Sequence, residues 1–137
     1  MGIKRHVFIT GPAPHSHVPM WMREIDIFAF PSLYEGSPNA LIEAMGLGLP
    51  IVASDISGVN DVISDGVNGL LVEPNSVDAL LNRLLFLSEN KGLQTQLGET
   101  AKQTIETQFS PIDEVETWLD MYFSVCRTCF SDAQTAG

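Results

Sequence analysis

Short apolar runs alternate with segments of helical periodicity along the chain. Runs rich in β-branched and aromatic residues, bounded by Gly, Pro or Asp, predict four buried strands at residues 6–10, 27–30, 50–55 and 69–72. Apolar residues at spacings of three and four predict helices at residues 18–24, 39–45, 77–87 and 92–108, and one more after Pro111. Because strands alternate with helices, we expect an α/β fold with a parallel sheet.

The helices after Pro74 carry the clearest apolar stripes. The first is predicted to bury Val77, Leu80, Leu81, Leu84, Leu85 and Leu87. The second repeats an apolar residue at every fourth position, namely Leu93, Leu97, Ala101 and Ile105. A final helix would place on one face Val115, Trp118, Leu119, Tyr122 and Phe123. Residues 65–69 have turn chemistry, and Gly66 and Asn68 are expected to tolerate a positive φ there.

The composition is that of one acidic, globular domain. The chain has 137 residues, of which 45% are hydrophobic and 18% charged, enough to form a core. A formal net charge of −10 argues against nucleic acid as a partner, because there is no basic stripe to displace its counterions. No apolar run is long enough to span a membrane, and the N-terminus lacks the apolar region of a signal peptide. We therefore expect a cytoplasmic protein.

Neither the cysteines nor the histidines form a pattern typical of a metal site. Cys126 and Cys129 form a Cys-x-x-Cys pair, but no second pair completes the four ligands that zinc prefers. We interpret them as ordinary reduced thiols. His15 and His17 lie in a predicted loop without an accompanying carboxylate or cysteine, so we interpret that loop as solvated and expect no metal.

Residues 31–45 combine a strand end, a short loop and a helix start. Ser37 stands where an N-cap is expected, and Pro38 stands at the first helical position. The first turn then has N–H groups without intrahelical acceptors, those of Asn39, Ala40 and Leu41. The helix dipole adds partial positive charge, and the loop follows a parallel strand at the edge where ligands commonly bind. The arrangement predicts an anion site.

Two carboxylates frame this helix start. Glu35 precedes the helix, and Glu43 lies inside it. Each would repel a phosphate, but each is a good acceptor for hydroxyl groups of a sugar or a ribose; the alternative for both is a solvated surface acid. None of the seven Lys and Arg residues lies in residues 31–43, so a nucleotide diphosphate bound here would need cations from elsewhere. Ser57 and Gly58, after the next strand, are expected to reach the same crevice.

The ordered string of motifs around these carboxylates resembles a known enzyme family. The stretch P-S-L-Y-E-G-S-P-N-A-L-I-E-A-M has Glu-x7-Glu spacing and is followed by G-L-G-L-P-I-V-A-S-D. D-I-F-A-F-P-S overlaps its start, and D-G-V-N-G-L-L-V-E-P-N comes after it. From about Val7 to Phe123 the chain resembles the donor half of retaining nucleotide-sugar glycosyltransferases of the GT-B fold, family 4.

The resemblance implies transfer of a hexosyl group, with retention, from a donor of the UDP or GDP type. It implies no metal and no cofactor other than the donor. By this analogy Glu35 is catalytic and holds hydroxyls of the donor sugar, while Glu43 holds the ribose. The diphosphate and sugar would contact the donor-binding residues Gly36, Ser37, Pro38, Asn39, Ala40 and Leu41. The loop at residues 11–15 would lie near the base.

The resemblance also implies a partial domain. Compared with a Rossmann sheet of strand order 3-2-1-4-5-6, the chain supplies only the third to sixth strands. The strand at residues 27–30 would then have an open edge that can pair with a second copy or another chain. The acceptor-binding half is absent, as are the Gly-rich turn and the Arg/Lys pair that hold the diphosphate in the family. We therefore expect residues 1–126 to form a truncated nucleotide-sugar-binding domain that is inactive alone, with residues 127–137 as a disordered or frayed tail.

Other functions fit parts of the pattern. A non-catalytic module, either a fragment or a subunit completed by a partner chain, would carry the same motifs. A glycosidase also uses two carboxylates, but the helix start favours a phosphate ligand. A dinucleotide-binding domain would need Gly-x-Gly-x-x-Gly after its first strand, which this chain lacks. In the family the last helix crosses onto the other half, so its aromatic residues either form an exposed patch or pack on this domain.

Overall fold

A computed structural model describes residues 4–12, 14 and 17–108. Within these ranges, three parallel strands form one sheet. The elements in chain order are a 3-10 helix (Lys4–His6), α1 (Val18–Met22), β1 (Phe28–Phe30), α2 (Asn39–Gly46), β2 (Ile51–Ser54), β3 (Leu70–Val72), α3 (Val77–Glu89) and α4 (Lys91–Gln108). The strand order is β1-β2-β3, and both pairings are parallel. The predicted α/β fold with a parallel sheet and flanking helices is confirmed.

Strand β2 supplies both layers of the core. All four of its residues are buried. Because successive side chains of a strand point to opposite faces, Ile51 and Ala53 pack with α2 in one apolar cluster. Val52 packs on the other face with residues of β3, α3 and α4. A continuous apolar strand between two layers of helices is typical of a parallel sheet.

The end of α2 meets the middle of α4 at two glycines. Helix α2 ends in a Schellman motif: the Leu49 N–H donates to the Ala44 carbonyl at 3.1 Å, and the Gly48 N–H donates to the Met45 carbonyl at 2.9 Å. The motif needs a left-handed residue, and Gly48 has a φ of 73°. Gly98 of α4 lies so close to this turn that a Cβ there would overlap the Gly48 carbonyl oxygen. Helix α4 therefore lies directly on the backbone that leads from α2 to β2.

The turn before β3 is tied to α4 by one buried side chain. The Asn68 Oδ1 accepts a hydrogen bond from the Ser64 N–H at 2.7 Å. Its Nδ2 donates to the Val62 carbonyl at 3.0 Å and to the Thr104 Oγ1 at 3.3 Å. The expected positive φ is observed at Gly66, at 74°, but Asn68 does not adopt one. Asn68 thus acts through its amide group and not through a left-handed backbone.

The first predicted strand, at residues 6–10, is wrong. Residues 4–6 form the 3-10 helix, and residues 7–10 have no regular structure. Val7, Phe8 and Ile9 are 53%, 85% and 93% exposed. A strand needs a neighbour to accept and donate its ladder hydrogen bonds, and no described strand pairs with this segment. The described sheet consequently has three strands where four were expected.

The apolar stripe predicted on α3 is only partly buried. Leu87 is buried, and Leu80 and Leu84 pack against the core from partly exposed positions. The remaining members of the stripe are exposed: Val77, Leu81 and Leu85. Helical periodicity predicted the helix correctly, but the stripe is wider than the surface on which α3 lies. The stripe on α4 fits better, since Leu97 and Ala101 are fully buried.

Strand β1 lies at the edge of the sheet. Its three residues pair with residues 51–53 of β2. The rings of Phe28 and Phe30 stack with their centroids 5.9 Å apart, while Ala29 between them is exposed. On the other side of β1, the described residues provide no pairing strand. The open edge expected at this strand is therefore observed within that part of the chain.

Several predicted features lie outside the described residues. They are His15, the final helix with its aromatic face, the pair Cys126 and Cys129, and the tail at residues 127–137. These features and the proposed domain boundary stay predictions. Within the described ranges, no helix combines the length and the apolar character that crossing a membrane requires.

Candidate functional site

The loop after β1 holds the first of the two motif carboxylates. The Ser32 hydroxyl donates a hydrogen bond to the Glu35 Oε1 at 2.6 Å. Both residues are half-buried, so the bond is partly shielded from water and restrains the carboxylate at the carboxyl end of the sheet. Leu33 and Tyr34, between them in sequence, are 65% and 87% exposed. The loop thus combines an anchored carboxylate with exposed apolar side chains.

The loop after β2 packs directly against the backbone of Glu35. Gly58 has a φ of 86°, and a Cβ on it would lie 2.7 Å from the Glu35 carbonyl oxygen. The Gly58 N–H donates to the Asp61 Oδ2 at 3.2 Å, and the Asn60 Nδ2 donates to the Asp55 Oδ1 at 3.2 Å. The expected proximity of the two loops is observed, and it requires glycine for both its conformation and its closeness.

The N-cap of helix α2 lies one residue later than predicted. Pro38, not Ser37, occupies the N-cap position, with φ −81° and ψ 62°. No side chain caps the helix, and the Ser37 hydroxyl donates instead to the Asn39 Oδ1 at 3.1 Å. The Pro38 carbonyl accepts the N–H groups of both Leu41, at 2.9 Å, and Ile42, at 3.0 Å. The proline carbonyl therefore closes the first turn without a side-chain cap.

Two of the three amides expected to be free at this helix start have backbone acceptors. The Asn39 N–H donates to the Ser37 carbonyl at 2.9 Å, and the Leu41 N–H donates to the Pro38 carbonyl at 2.9 Å. For the Ala40 N–H, the described part of the chain provides no acceptor. The expectation of three free amides is wrong for Asn39 and Leu41. What the helix start offers an anion is the Ala40 N–H and the partial charge of the helix.

The second carboxylate lies in different surroundings from the first. Glu43 is half-buried on α2 and lines a cavity of about 340 Å³ with Pro19 and Met22 of α1 and the last turn of α2. Glu35 does not line this cavity. The structure therefore places Glu35 among the loops at the sheet edge and Glu43 in a groove between two helices. Gly36, between the loop and α2, is exposed, and no atom lies within 4 Å of where its Cβ would be.

Three of the cations form ion pairs with acidic residues outside the helix start. The pairs are Arg83 with Asp65 at 3.5 Å, Lys91 with Asp26 at 3.8 Å, and Lys102 with Glu106 at 3.9 Å. In the loop predicted to lie near a base, Gly11 and Pro12 are exposed, and Gly11 has a φ of 67°. Among the described His, Cys, Asp and Glu residues, no group of three or more could hold a metal ion.

Ser32 has a contact with Glu35 that the sequence motifs alone do not indicate. The available signal was its position three residues before Glu35, a spacing at which a serine hydroxyl can reach an acidic side chain across a turn. The interpretation also expected Gly58 in the crevice but not its contact with the Glu35 backbone. Ser32 donates a hydrogen bond to the Glu35 carboxylate, and Gly58 lies against the Glu35 carbonyl.

Comparison with known proteins gives the same assignment as the motifs. The family model described as glycosyl transferases group 1 matches residues 1–104. A curated relative, UDP-Gal:alpha-D-GlcNAc-diphosphoundecaprenol alpha-1,3-galactosyltransferase of Escherichia coli, is 29% identical over 125 residues. The match covers 91% of this chain and 32% of that enzyme. The chain spans about a third or less of the length of the curated relatives it matches.

Solved structures extend the similarity to the fold. TarM of S. aureus, a variant in complex with fondaparinux, alpha-GlcNAc-glycerol and UDP, superposes with a TM-score of 0.81 at 30% identity, covering 88% of this chain and 24% of that one. The C-terminal domain of the group 1 glycosyl transferase LpcC from Francisella tularensis gives 0.71 at 25% identity, covering 80% and 59%. The chain therefore belongs to the glycosyl transferases group 1 family and corresponds to the C-terminal domain region of a GT-B glycosyltransferase.

Proposed function

We propose that this chain is the donor-binding portion of a retaining, nucleotide-sugar-dependent glycosyltransferase that transfers a hexosyl group. The observation that carries the proposal is the junction of β1, the Glu35 loop and α2. There an anchored carboxylate directly precedes a helix start with a free amide, at the carboxyl end of a parallel strand. A carboxylate suits sugar hydroxyls and a helix start suits phosphate, so the junction has the two chemistries that a nucleotide sugar needs.

In this proposal the diphosphate binds at the first turn of α2. The Ala40 N–H and the helix dipole favour an anion there, and the open space beside Gly36 leaves room for it. The Ser37 hydroxyl and the amides of Asn39 and Leu41 join if their present hydrogen bonds are exchanged for bonds to phosphate. Pro38 holds the chain so that these groups lie on one turn. Catalysis consists of stabilising the charge that grows on the departing diphosphate.

The two carboxylates bind different parts of the donor. Glu35, held by Ser32, accepts hydrogen bonds from hydroxyls of the transferred sugar and is the catalytic carboxylate of this chain. Glu43, in the groove between α1 and α2, accepts the hydroxyls of the ribose. The name of the Escherichia coli relative contains UDP-Gal, and the TarM complex contains UDP. These names support a uridine donor over a guanosine one. We expect no metal and no cofactor besides the donor.

We infer that the chain alone binds a nucleotide weakly, and that transfer needs cations and an acceptor site from a partner domain or chain. The open edge of β1 and the acidic charge of −10 support this, because an isolated diphosphate site with one free amide has little to offset two phosphate charges. The second candidate function, a non-catalytic subunit, is favoured by the same open edge. The two candidate functions, donor-binding portion and non-catalytic subunit, differ in whether a nucleotide sugar binds in the crevice. In both cases we expect no transfer activity from the 137-residue chain alone.

Calorimetric titration of the chain with UDP and with UDP-sugars tests the assignment. Glu43→Gln is expected to weaken binding of UDP and of every UDP-sugar about tenfold, the loss of one hydrogen bond to a charged group. Glu35→Gln is expected to weaken UDP-sugars by a similar factor while leaving UDP unchanged. Glu89→Gln, an exposed acid at the end of α3, is the matched control. Equal effects of all three substitutions, or turnover of a UDP-sugar by the chain alone, would overturn the proposal.

A further inference from the structure

A second cavity opens at the carboxyl end of the sheet, on the side of α3. Its volume is about 210 Å³, the space of roughly seven water molecules. Its walls come from the ends of all three described strands and from the first turn of α3. Pro31 and Leu33 of the Glu35 loop form one wall, but neither Glu35 nor Glu43 lines it. The cavity is therefore separate from the groups assigned to the donor.

A buried hydroxyl without a partner opens into this cavity. Ser54 at the end of β2 is only 2% exposed. It lies on the same face of β2 as Val52, which packs toward α3, and it lines the cavity. Its hydroxyl has no hydrogen-bond partner among the described residues. In the same part of the chain, every buried side-chain polar atom that solvent cannot reach has a hydrogen-bond partner. The Ser54 hydroxyl must therefore be accessible from the cavity, where a ligand can reach it.

The start of α3 adds further donors at the opposite wall. Ser76 caps the helix, its hydroxyl accepting the Ala79 N–H at 3.3 Å and its carbonyl accepting the Leu80 N–H at 3.1 Å. For the N–H groups of Val77 and Asp78, the described residues provide no acceptor. Because Ser76 and Val77 line the cavity, a bound acceptor group can reach this turn.

Charge at the rim selects against an anion. Glu73 lines the cavity, Asp78 lies in the first turn of α3, and no Lys, Arg or His is among the lining residues. A phosphate or carboxylate would be repelled by both acids. A neutral ligand with hydroxyl groups can donate to Glu73 and to the Asn75 carbonyl groups and accept from Ser54 and the helix amides. The apolar side chains of the walls would contact its C–H groups.

We propose that this cavity binds a neutral polyol of the size of one sugar ring. The ligand accepts hydrogen bonds from the Ser54 hydroxyl and from the first turn of α3, and it donates to Glu73. Neither Glu35 nor Glu43 lines the cavity, so the site is a second carbohydrate-binding position beside the donor crevice. This second site does not depend on the assignment of the Glu35 loop to the donor.

Amide NMR of the full chain, titrated with neutral monosaccharides and separately with inorganic phosphate, tests this site. Glucose, galactose and N-acetylglucosamine form the neutral panel. At least one sugar is expected to shift the amide peaks of Ser54, Asn75 and Val77 saturably, with a dissociation constant of roughly millimolar order. Phosphate is expected to leave those peaks unmoved. Shifts with phosphate and not with any sugar would overturn the proposal, as would no shift with any ligand.

Two substitutions separate binding from folding. Ser54→Ala removes an unpartnered hydroxyl, so its thermal midpoint is expected to be unchanged or raised while sugar binding weakens about fivefold. Val77→Phe is expected to fill the cavity and abolish the shifts, and Val67→Phe, at another exposed valine, is its control. Unchanged sugar affinity in both Ser54→Ala and Val77→Phe would overturn the proposal. In every variant, the shift of the Ala40 amide peak on addition of UDP reports independently whether the donor site still binds.

Discussion

Two regions of this molecule are held together in opposite ways. Where α4 crosses the turn from α2 to β2, backbone lies on backbone, and Gly98 leaves no room for a methyl group beside the Gly48 carbonyl. At the carboxyl end of the sheet, the Ser32–Glu35 hydrogen bond lies within the loop after β1, and the loop after β2 meets it where Gly58 approaches the Glu35 carbonyl. In the first region Gly98 is buried and Gly48 is half-buried, whereas the residues of the second region are exposed or half-buried.

The difference shows which region sets stability and which sets binding. A close backbone contact in a buried region fails when any atom is added, because the packed surroundings cannot relax. Loops at the surface can shift by small amounts at little cost in folding free energy, but such shifts move a carboxylate that must meet a ligand. Substitutions where α4 contacts the turn from α2 to β2 are therefore expected to change the free energy of unfolding. Substitutions in the loops after β1 and β2 are expected to change the affinity for the ligand.

The largest effect is expected from Gly98→Ala. The added Cβ overlaps the Gly48 carbonyl oxygen, so α4 must move away from the turn. We expect a loss of about 3 kcal/mol in the free energy of unfolding, measured by urea denaturation. Gly92→Ala is the matched control: it lies in the same helix with no atom near its Cβ, and alanine is expected to stabilise it by about 1 kcal/mol. Equal effects at the two positions would contradict the role given to the contact.

Asn68→Ala is expected to have the next largest effect. It leaves the buried Val62 carbonyl and the partly buried Ser64 N–H without their side-chain partner and frees the turn from α4. We expect a loss of about 2 kcal/mol, read from the denaturation midpoint. Asn82→Ala, at an exposed position of α3, is expected to change stability little. A small effect of Asn68→Ala would mean that the turn before β3 is not held by this side chain.

Gly58→Ala tests the border between the two regions. Alanine at a φ of 86° is strained by about 1–2 kcal/mol, and its Cβ would push the Glu35 backbone. Gly66→Ala imposes a similar strain at φ 74°, with no atom near its Cβ. We therefore expect a larger loss of stability in Gly58→Ala than in Gly66→Ala, and weaker UDP-sugar binding only in Gly58→Ala, measured by calorimetry. Weaker binding in both would assign the effect to general destabilisation.

The smallest change in stability is expected from Ser32→Ala. The lost hydrogen bond to Glu35 is partly exposed, so the free energy of unfolding should fall by about 1 kcal/mol or less. Because Ser32 restrains only the carboxylate assigned to the sugar, UDP-sugar affinity should fall while UDP affinity stays constant. Ser88→Ala, on the exposed end of α3, should leave both unchanged. Equal losses for UDP and UDP-sugar would contradict a role of Ser32 through Glu35.

The sequence predicted the core elements well because their signals are local. Strand β2 begins with the apolar run Ile51-Val52-Ala53 directly after Pro50, and α4 repeats apolar residues at every fourth position. The predicted strand at residues 6–10 has an equally apolar run, but a strand also needs a neighbour, and pairing cannot be deduced from the run itself. The stripe on α3 similarly predicts a helix without predicting how much of it is covered.

The candidate site was predictable in place but not in detail. The motif located the Glu35 loop and the start of α2, but the use of the Asn39 and Leu41 amides depends on how Pro38 enters the helix. A backbone torsion of this kind has no signature in residue types, since proline is compatible with both the N-cap and the first helical position. The closeness of Gly58 to Glu35 depends on the packing of two strands distant in sequence.

Amide NMR of the chain during titration with UDP and GDP tests the central claim most directly. The account predicts dispersed peaks and saturable shifts at Gly36, Ser37 and Ala40, larger for UDP than for GDP at equal concentration. The peaks of Asn75 and Val77, in the separate cavity, should stay in place. A folded chain in which neither nucleotide moves the peaks of the α2 start would contradict the account, because the Glu35 loop would then lack the phosphate site on which every role assigned to it depends.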